Sequence, residues 1–203
     1  MSPRFHIKIL LFLKAPRPGL VKTRLAKDIG EKRACEIYRK MVTSTLNSIP
    51  ATTEPIIHFA PQDALPEFHD WLGGTYNYQA QIEGDLGARM SHACKCAFEE
   101  GADGVILLGG DCPSITQKHL ENIANRLEQG QELLGPATDG GYWTMGLRSP
   151  FPQVFQHMPW STPEVANLTR RKFQEHQRPL LEIDTLEDVD DLDSWKRNQH
   201  FLT

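Results

Sequence analysis

The sequence predicts an α/β protein built on an open, mostly parallel sheet, and three stretches carry that prediction. Val105-Ile-Leu-Leu108 is a continuous apolar run closed by Gly109, Gly110 and Asp111, the pattern of a strand buried on both faces of such a sheet. Ile7-Lys-Ile-Leu-Leu-Phe-Leu13 is a second run of the same kind near the start. Residues 31 to 49 place Ala34, Ile37, Tyr38, Met41, Val42, Thr45, Leu46 and Ile49 at helical spacing, which gives one apolar face to cover a sheet.

At 203 residues and 39% hydrophobic, the chain has material for a sizeable core, and a single domain over 1–203 is expected. A net charge of -4 with 24% charged residues calls for neither nucleic acid nor a membrane surface as partner. The run over 7–13 is too short to span a bilayer and lacks a small-residue cleavage site. No membrane span and no signal peptide are read there, and the cytoplasm is the expected compartment. The four cysteines, Cys35, Cys94, Cys96 and Cys112, show no zinc spacing, so reduced thiols are expected.

In chain order, the first strand leads into Lys14-Ala-Pro-Arg-Pro-Gly-Leu-Val-Lys-Thr-Arg24. Prolines stiffen this loop, while Lys14, Arg17, Lys22 and Arg24 supply charge suited to phosphate oxygens. Between Lys14 and Arg33 stand seven Lys or Arg against two acids, either a solvated basic face or an anion-binding lip at the sheet edge. Walker spacing is absent. After the helix over 31–49, Pro55 to Ala60 reads as a strand, Leu65 to Leu72 as a short helix and Tyr76 to Ile82 as another strand. His58 reads as a hydrogen-bonded core or edge residue. Gly84-Asp-Leu-Gly-Ala-Arg-Met90 opens a helix reaching Glu100. Its glycines expose backbone N–H groups to an anion or a base edge, or Asp85 is simply the cap and Arg89 a surface residue.

Asp111 follows the central strand at the edge where open parallel sheets bind ligands, and reads as a cation ligand, a proton acceptor or a turn residue before Pro113. Ser114 or Thr116 starts the next helix, with Leu120, Ile123, Ala124 and Leu127 on its buried side. Leu133 to Leu147 holds two short apolar pieces around Asp139-Gly-Gly141. These form a hairpin turn, a surface for substrate walled by Tyr142 or Trp143, or both. Ser161 and Glu164 have capping-box spacing with Pro163 in the first turn, and Trp160 faces either an acceptor pocket or the core. Leu180 to Asp184 reads as a strand that sends Glu182 and Asp184 from one face. Thr185 and Asp188 read as caps of the last helix, which turns Val189, Leu192 and Trp195 inward. Seven carboxylates lie from Glu182 to Asp193, most of them read as a solvated helix face.

Two strand ends thus deliver Asp111, Glu182 and Asp184. Hard carboxylate oxygens suit magnesium, manganese or calcium, and Mg2+ or Mn2+ bridged to a diphosphate neutralises charge as a phosphate or nucleotide leaves. No catalytic-triad pattern, nucleophile elbow or dinucleotide fingerprint competes with that chemistry.

The succession Lys14 to Leu25, Gly84 to Met90, Gly110-Asp-Cys-Pro113, Asp139-Gly-Gly-Tyr142 and Asp184-Thr-Leu-Glu-Asp188 resembles the nucleotide-diphospho-sugar transferase superfamily. Within it, the chain is similar over nearly its whole length to bacterial arsenosugar-biosynthesis-type glycosyltransferases, relatives of the phospholactate and molybdenum-cofactor guanylyltransferases. The resemblance implies a GT-A-like, three-layer α/β/α sandwich with a mostly parallel central sheet. It implies nucleotide contacts from Lys14, Ala15, Pro16, Arg17, Gly19, Lys22, Thr23 and Arg24, and from Gly84, Asp85, Leu86, Gly87 and Arg89. Asp111 matches the family's metal-binding aspartate and Asp184 its second acidic ligand, with Glu182 beside it. Glu182 departs from the Asp-x-Asp of the phospholactate enzymes at that point, and the first loop lacks the glycine-rich start of the molybdenum-cofactor enzyme.

The expected activity is metal-dependent transfer of a sugar from a nucleotide-diphosphate sugar to a small acceptor. Asp111, Asp139 and Lys22 are the expected catalytic residues, and Gly140, Gly141, Tyr142, Trp160 and Ser161 the expected substrate contacts. Two alternatives stand beside it. One is nucleotidyl transfer, guanylyl or cytidylyl, from a nucleoside triphosphate to a small phosphorylated substrate with release of pyrophosphate; the other is a non-catalytic nucleotide-binding module.

Overall fold

Seven strands, β1 (Ile7–Lys14), β2 (Pro55–Ala60), β3 (Asn77–Ala80), β4 (Gly104–Gly109), β5 (Glu132–Pro136), β6 (Tyr142–Leu147) and β7 (Leu180–Glu182), make one sheet. The structure is a computed structural model and describes residues 5–51, 53 and 55–202. The strand order is β3-β2-β1-β4-β6-β5-β7. Only β6 runs against its neighbours β4 and β5; the other pairings are parallel. Helices α1 (Thr23–Ile29), α2 (Glu31–Asn47), α3 (Leu65–Leu72), α4 (Leu86–Glu99), α5 (Gln117–Glu128), α6 (Val165–Glu175) and α7 (Leu192–Asn198) connect them.

The three layers follow from alternation along the strands. Ile9, Leu11, Leu13, Ile106 and Leu108 point to one face, where Tyr38 and Met41 of α2 and Leu120, Ile123 and Leu127 of α5 meet them. Leu10, Val105 and Leu107 point to the other, against Met90, Ala93 and Ala97 of α4 and Ala166 and Phe173 of α6. The sandwich expected from the resemblance is therefore present. Among the described residues no helix is long and apolar enough to cross a membrane, and all four cysteines are free thiols. From β1 the sheet builds outward through β2 on one side and β4 on the other, which opens a crevice beyond their C-terminal ends.

Several local expectations are corrected. The first loop ends sooner than expected, because α1 starts at Thr23. β3 and β7 are shorter than the strands read over 76–82 and 180–184, since edge strands have a partner on one side only. Ser161 does not cap α6: it sits at φ 65, outside a helix that begins at Val165 with no side-chain cap. Thr162 organises that turn instead, its Oγ1 donating to Pro159 O at 2.8 Å. Neither Thr185 nor Asp188 caps the last helix; Asp191 does, accepting from Ser194 N–H at 2.8 Å. The stretch before it is tied to the sheet, with Ile183 N–H donating to Leu134 O and Leu186 N–H to Pro136 O at 3.0 and 3.1 Å.

Candidate active site

Asp111 stands two residues beyond β4, and its backbone oxygen accepts from Val189 N–H at 2.9 Å. That bond draws the chain leaving β7 back across the sheet ends and sets Asp188 and Asp190 on either side of the contact. Asp190 is held in turn by Leu25 N–H, which donates to its carbonyl at 3.0 Å. Between the two carboxylates lies Lys22. Its Nζ is 3.0 Å from Asp111 Oδ1 and 2.9 Å from Asp190 Oδ1, with the side chain only 4% exposed.

Lys22 reaches that position from a left-handed backbone, φ 48 and ψ 45, which costs a non-glycine residue roughly 1–2 kcal/mol. Burial pushes the ammonium pKa down, but Asp111 and Asp190 outweigh it and leave the group above its ordinary value. Asp188 is the counterpart. Burial first, then the charge of Asp111, push its carboxyl up to about 7, with Lys22 pulling the other way. Negative charge is thus in surplus here. Strain and a displaced pKa at one crevice make it the candidate functional site.

Two connected openings share Phe12, Lys14, Asp111 and Asp190. The smaller, about 260 Å³, is lined by Leu20, Lys22, Thr23, Arg24 and Tyr38. Tyr38 pins the end of β1 there, its hydroxyl accepting from Lys14 N–H at 3.0 Å and donating to Lys14 O at 3.1 Å. The larger, about 460 Å³, has an apolar wall of Leu86, Met90, Tyr142, Trp143 and Trp160. Asp139, Asp188, Gly141, Ser161 and Thr162 supply its polar atoms. Asp139 closes the β5–β6 turn by accepting from Gly141 N–H at 2.8 Å.

The expected site residues divide accordingly. Lys14, Lys22, Thr23, Arg24, Leu86, Asp111, Asp139, Gly141, Tyr142, Trp160 and Ser161 line one or both openings. Ala15, Pro16, Gly19, Gly84, Asp85, Gly87, Arg89 and Gly140 do not. Ala15 is buried and Pro16 O accepts from Cys35 Sγ at 2.9 Å. Asp85 caps α4 through Ala88 N–H at 2.7 Å, and Arg89 Nε donates to Gly84 O at 3.0 Å. Gly87 serves packing: a Cβ there would stand 2.4 Å from Phe155 O and 2.9 Å from the Trp160 ring. Gly140, at φ +88, likewise has Pro163 O 2.3 Å from where a Cβ would be. Arg17 is taken by Glu67, its Nε donating at 3.1 Å, with Asp63 3.6 Å away.

Glu182 and Asp184 do not join Asp111. Arg170 holds Glu182 through Nε and Nη2, at 2.5 and 3.0 Å, and Asp184 is 79% exposed, 3.7 Å from His119 Nε2. The physical reason is that β7 is an edge strand paired only with β5, so residues just beyond it emerge at the rim. Asp188 and Asp190 are the acids that arrive. The signal for them is in the sequence, an Asp-Val-Asp triplet over 188–190, obscured because the preceding acids shared the same two-residue spacing. Among the described residues no three acidic, histidine or cysteine side chains converge on one point; the Lys22 ammonium holds the place between the nearest two.

Comparison with known proteins follows the same lines. A bacterial family, DUF2064, described as an uncharacterized protein conserved in bacteria, matches residues 47–162. A protein from Desulfovibrio desulfuricans G20, described provisionally as a nucleotide-diphospho-sugar transferase, is 32% identical, with a TM-score of 0.87 over 97% of this chain and 96% of that one. The 4-diphosphocytidyl-2C-methyl-D-erythritol synthase of Anaerococcus prevotii DSM 20548 shares the fold at 10% identity, with a TM-score of 0.63 over 98% and 96% of the two chains. Rv0371c of Mycobacterium tuberculosis H37Rv, solved with manganese, shares it at 17% identity, with a TM-score of 0.53 over 96% and 98%. Among curated proteins nothing matches.

Proposed function

We propose, for a chain that belongs to the DUF2064 family and with it to the nucleotide-diphospho-sugar transferase superfamily, metal-assisted transfer of a sugar from a nucleotide-diphosphate sugar to a small acceptor. The carrying observation is the meeting of two unlike openings at Asp111 and Asp190: one small and edged by Lys14, Lys22 and Arg24, the other larger and walled by aromatic rings. The first suits a diphosphate. The second suits the apolar face of a sugar together with an acceptor.

Among the described residues no three ligating side chains already converge, so a divalent cation would enter this place as the Lys22 ammonium moves out from between Asp111 and Asp190. Asp111, Asp188 and Asp190 offer hard oxygens, and positive charge at the same place would offset the burial and the Asp111 charge that raise Asp188. When bound there, Mg2+ or Mn2+ supplies electrostatic stabilisation of a departing diphosphate. Lys14 and Arg24 bind and orient the phosphates, and the Lys22 ammonium, displaced from its two acids, can turn to the same oxygens. Asp139 uses one oxygen for Gly141 N–H. Its carboxylate lines the larger cavity, and in this reading it accepts a proton from the acceptor hydroxyl. Tyr142 and Trp160 exclude water around it.

Lys14, Lys22 and Arg24 together would equally accommodate a triphosphate, which favours nucleotidyl transfer as the second reading. Calorimetric titration with nucleotide sugars and with the four ribonucleoside triphosphates, each with and without Mn2+, separates them. Binding of a nucleotide sugar that requires Mn2+ is the expected result. Indifference to metal, or no binding of any nucleotide sugar, sinks the glycosyl reading, and pyrophosphate release from a triphosphate hands the site to the alternative.

A further inference from the structure

We infer that the larger cavity takes an uncharged or cationic acceptor with an apolar face, a hydroxyl- or amine-bearing ring, and rejects phosphorylated ones. The inference rests on the transferase reading of this site and narrows it to a substrate class. Four aspartates line the cavity, Asp111, Asp139, Asp188 and Asp190, and Lys14 is the one cation in its lining, with Lys22 bonded to Asp111 and Asp190 beside it, so acids still outnumber cations by four to two. A divalent ion does not reverse that balance, because its charge and that of Lys22 are matched by the donor diphosphate they receive. A second anion would enter a field already negative.

Beyond the cations of the diphosphate lip, four arginines are committed elsewhere. Arg170 is bonded to Glu182, Arg178 to Glu132 and Arg197 to Glu187, while Arg89 is bonded to Gly84 O and Gln81 Oε1. Two helix N-termini approach the cavity, through Leu86 of α4 and Val165 of α6, and such ends attract anions only where their amides are unpaired. At α6, Ala166 N–H donates to Gly140 O at 2.9 Å and Glu164 N–H to Thr162 Oγ1 at 3.4 Å. At α4 the Asp85 carboxylate already accepts from Ala88 N–H. The α6 amides are thus paired, and at α4 the Asp85 carboxylate already stands where an anion would sit.

The apolar requirement has its own support. Tyr142 and Trp160 stand edge to face, ring centroids 6.5 Å apart, and Phe12 and Met90 extend the wall. Three large apolar side chains of the described residues are exposed, and two of them, Leu20 at 63% and Leu86 at 43%, stand at the mouths of the two openings. Ser161 leaves a hydroxyl on the rim, while that of Thr162 is held by its own turn. Rings with polar tips suit such a surface.

The test uses three probes of one shape, cyclohexylmethanol, cyclohexylmethylamine and cyclohexylmethyl phosphate, titrated against the full chain. Tryptophan fluorescence reports on the cavity, since Trp143 and Trp160 line it. Titrations are made with the chain alone and again after saturation with Mn2+ and a nucleoside diphosphate. The alcohol and amine are expected to bind at least about tenfold more tightly than the phosphate in both states, a difference of ~1.4 kcal/mol. Asp139→Asn is expected to shrink the amine-to-phosphate ratio at least about threefold by removing one carboxylate. Equal or tighter binding of the phosphate, no binding by any probe, or an unchanged ratio in the variant overturns the inference. Failure of nucleotides to bind counts instead against the transferase reading, because the probe series on the chain alone stands without them.

Discussion

β4 and β7 run in the same direction, and each is followed two residues later by an aspartate, Asp111 after one and Asp184 after the other. Only Asp111 enters the site. β4 lies between β1 and β6, at the point where the sheet's connections diverge, and anything leaving it emerges into the central crevice. β7 has one neighbour, so Asp184 emerges at the rim, where its backbone oxygen accepts from Trp143 Nε1–H at 2.9 Å and its carboxylate faces solvent. Position of a strand within the sheet, not the local motif, decides what a carboxylate at its end can do.

Substitution at the two ends should therefore give very unequal results. Asp111→Asn is expected to weaken Mn2+-dependent nucleotide binding about a hundredfold, ~2.7 kcal/mol, in calorimetry. Asp184→Asn should stay within about twofold of the parent, because an exposed group in weak contact contributes little. Comparable losses in both would break the contrast. A smaller effect is expected at Lys22, whose ammonium competes with any cation for Asp111 and Asp190. Lys22→Met should raise the affinity for Mn2+ in the absence of nucleotide about tenfold, ~1.4 kcal/mol, as read by electron paramagnetic resonance of the free ion. An unchanged affinity would mean that the ammonium and the metal do not contend for one place.

The same contrast explains what could be read in the sequence. β1, β2 and β4 are legible because burial on both faces produces near-continuous apolar runs, broken only by Lys8 in β1 and His58 in β2, and α2 because its apolar positions recur at helical spacing over 17 residues. α1 is not legible: a seven-residue helix with Leu25 as its one buried side chain carries almost no periodic signal and depends on tertiary support. Asp111 is legible since it follows such a run directly. Asp188 and Asp190 owe their place to the Val189–Asp111 backbone bond, a contact between distant parts of the chain that no local pattern records. Ser161 shows the converse, a capping-box spacing that the turn around Thr162 overrides.

A last consequence concerns two carboxylates four residues apart, Asp184 on the rim and Asp188 in the crevice. Because the folded chain pushes Asp188 up to about 7, against about 3.9 in an unfolded chain, the native state retains a proton that the unfolded state has lost throughout that interval. Stability contributed by this group is full below the lower value and declines as pH rises through the upper one. Some exposure to the cavity remains, which discounts the effect to on the order of 1–2 kcal/mol between pH 5 and 8. Thermal unfolding across that range should show a decline in the parent that is absent in Asp188→Asn and retained in Asp184→Asn. Saturating Mn2+ should suppress the decline in the parent, since positive charge beside Asp188 favours its ionised form. If Asp188→Asn retains the slope, the surplus charge lies on another member of the cluster, and the site must be rebuilt around Asp111 and Asp190 alone.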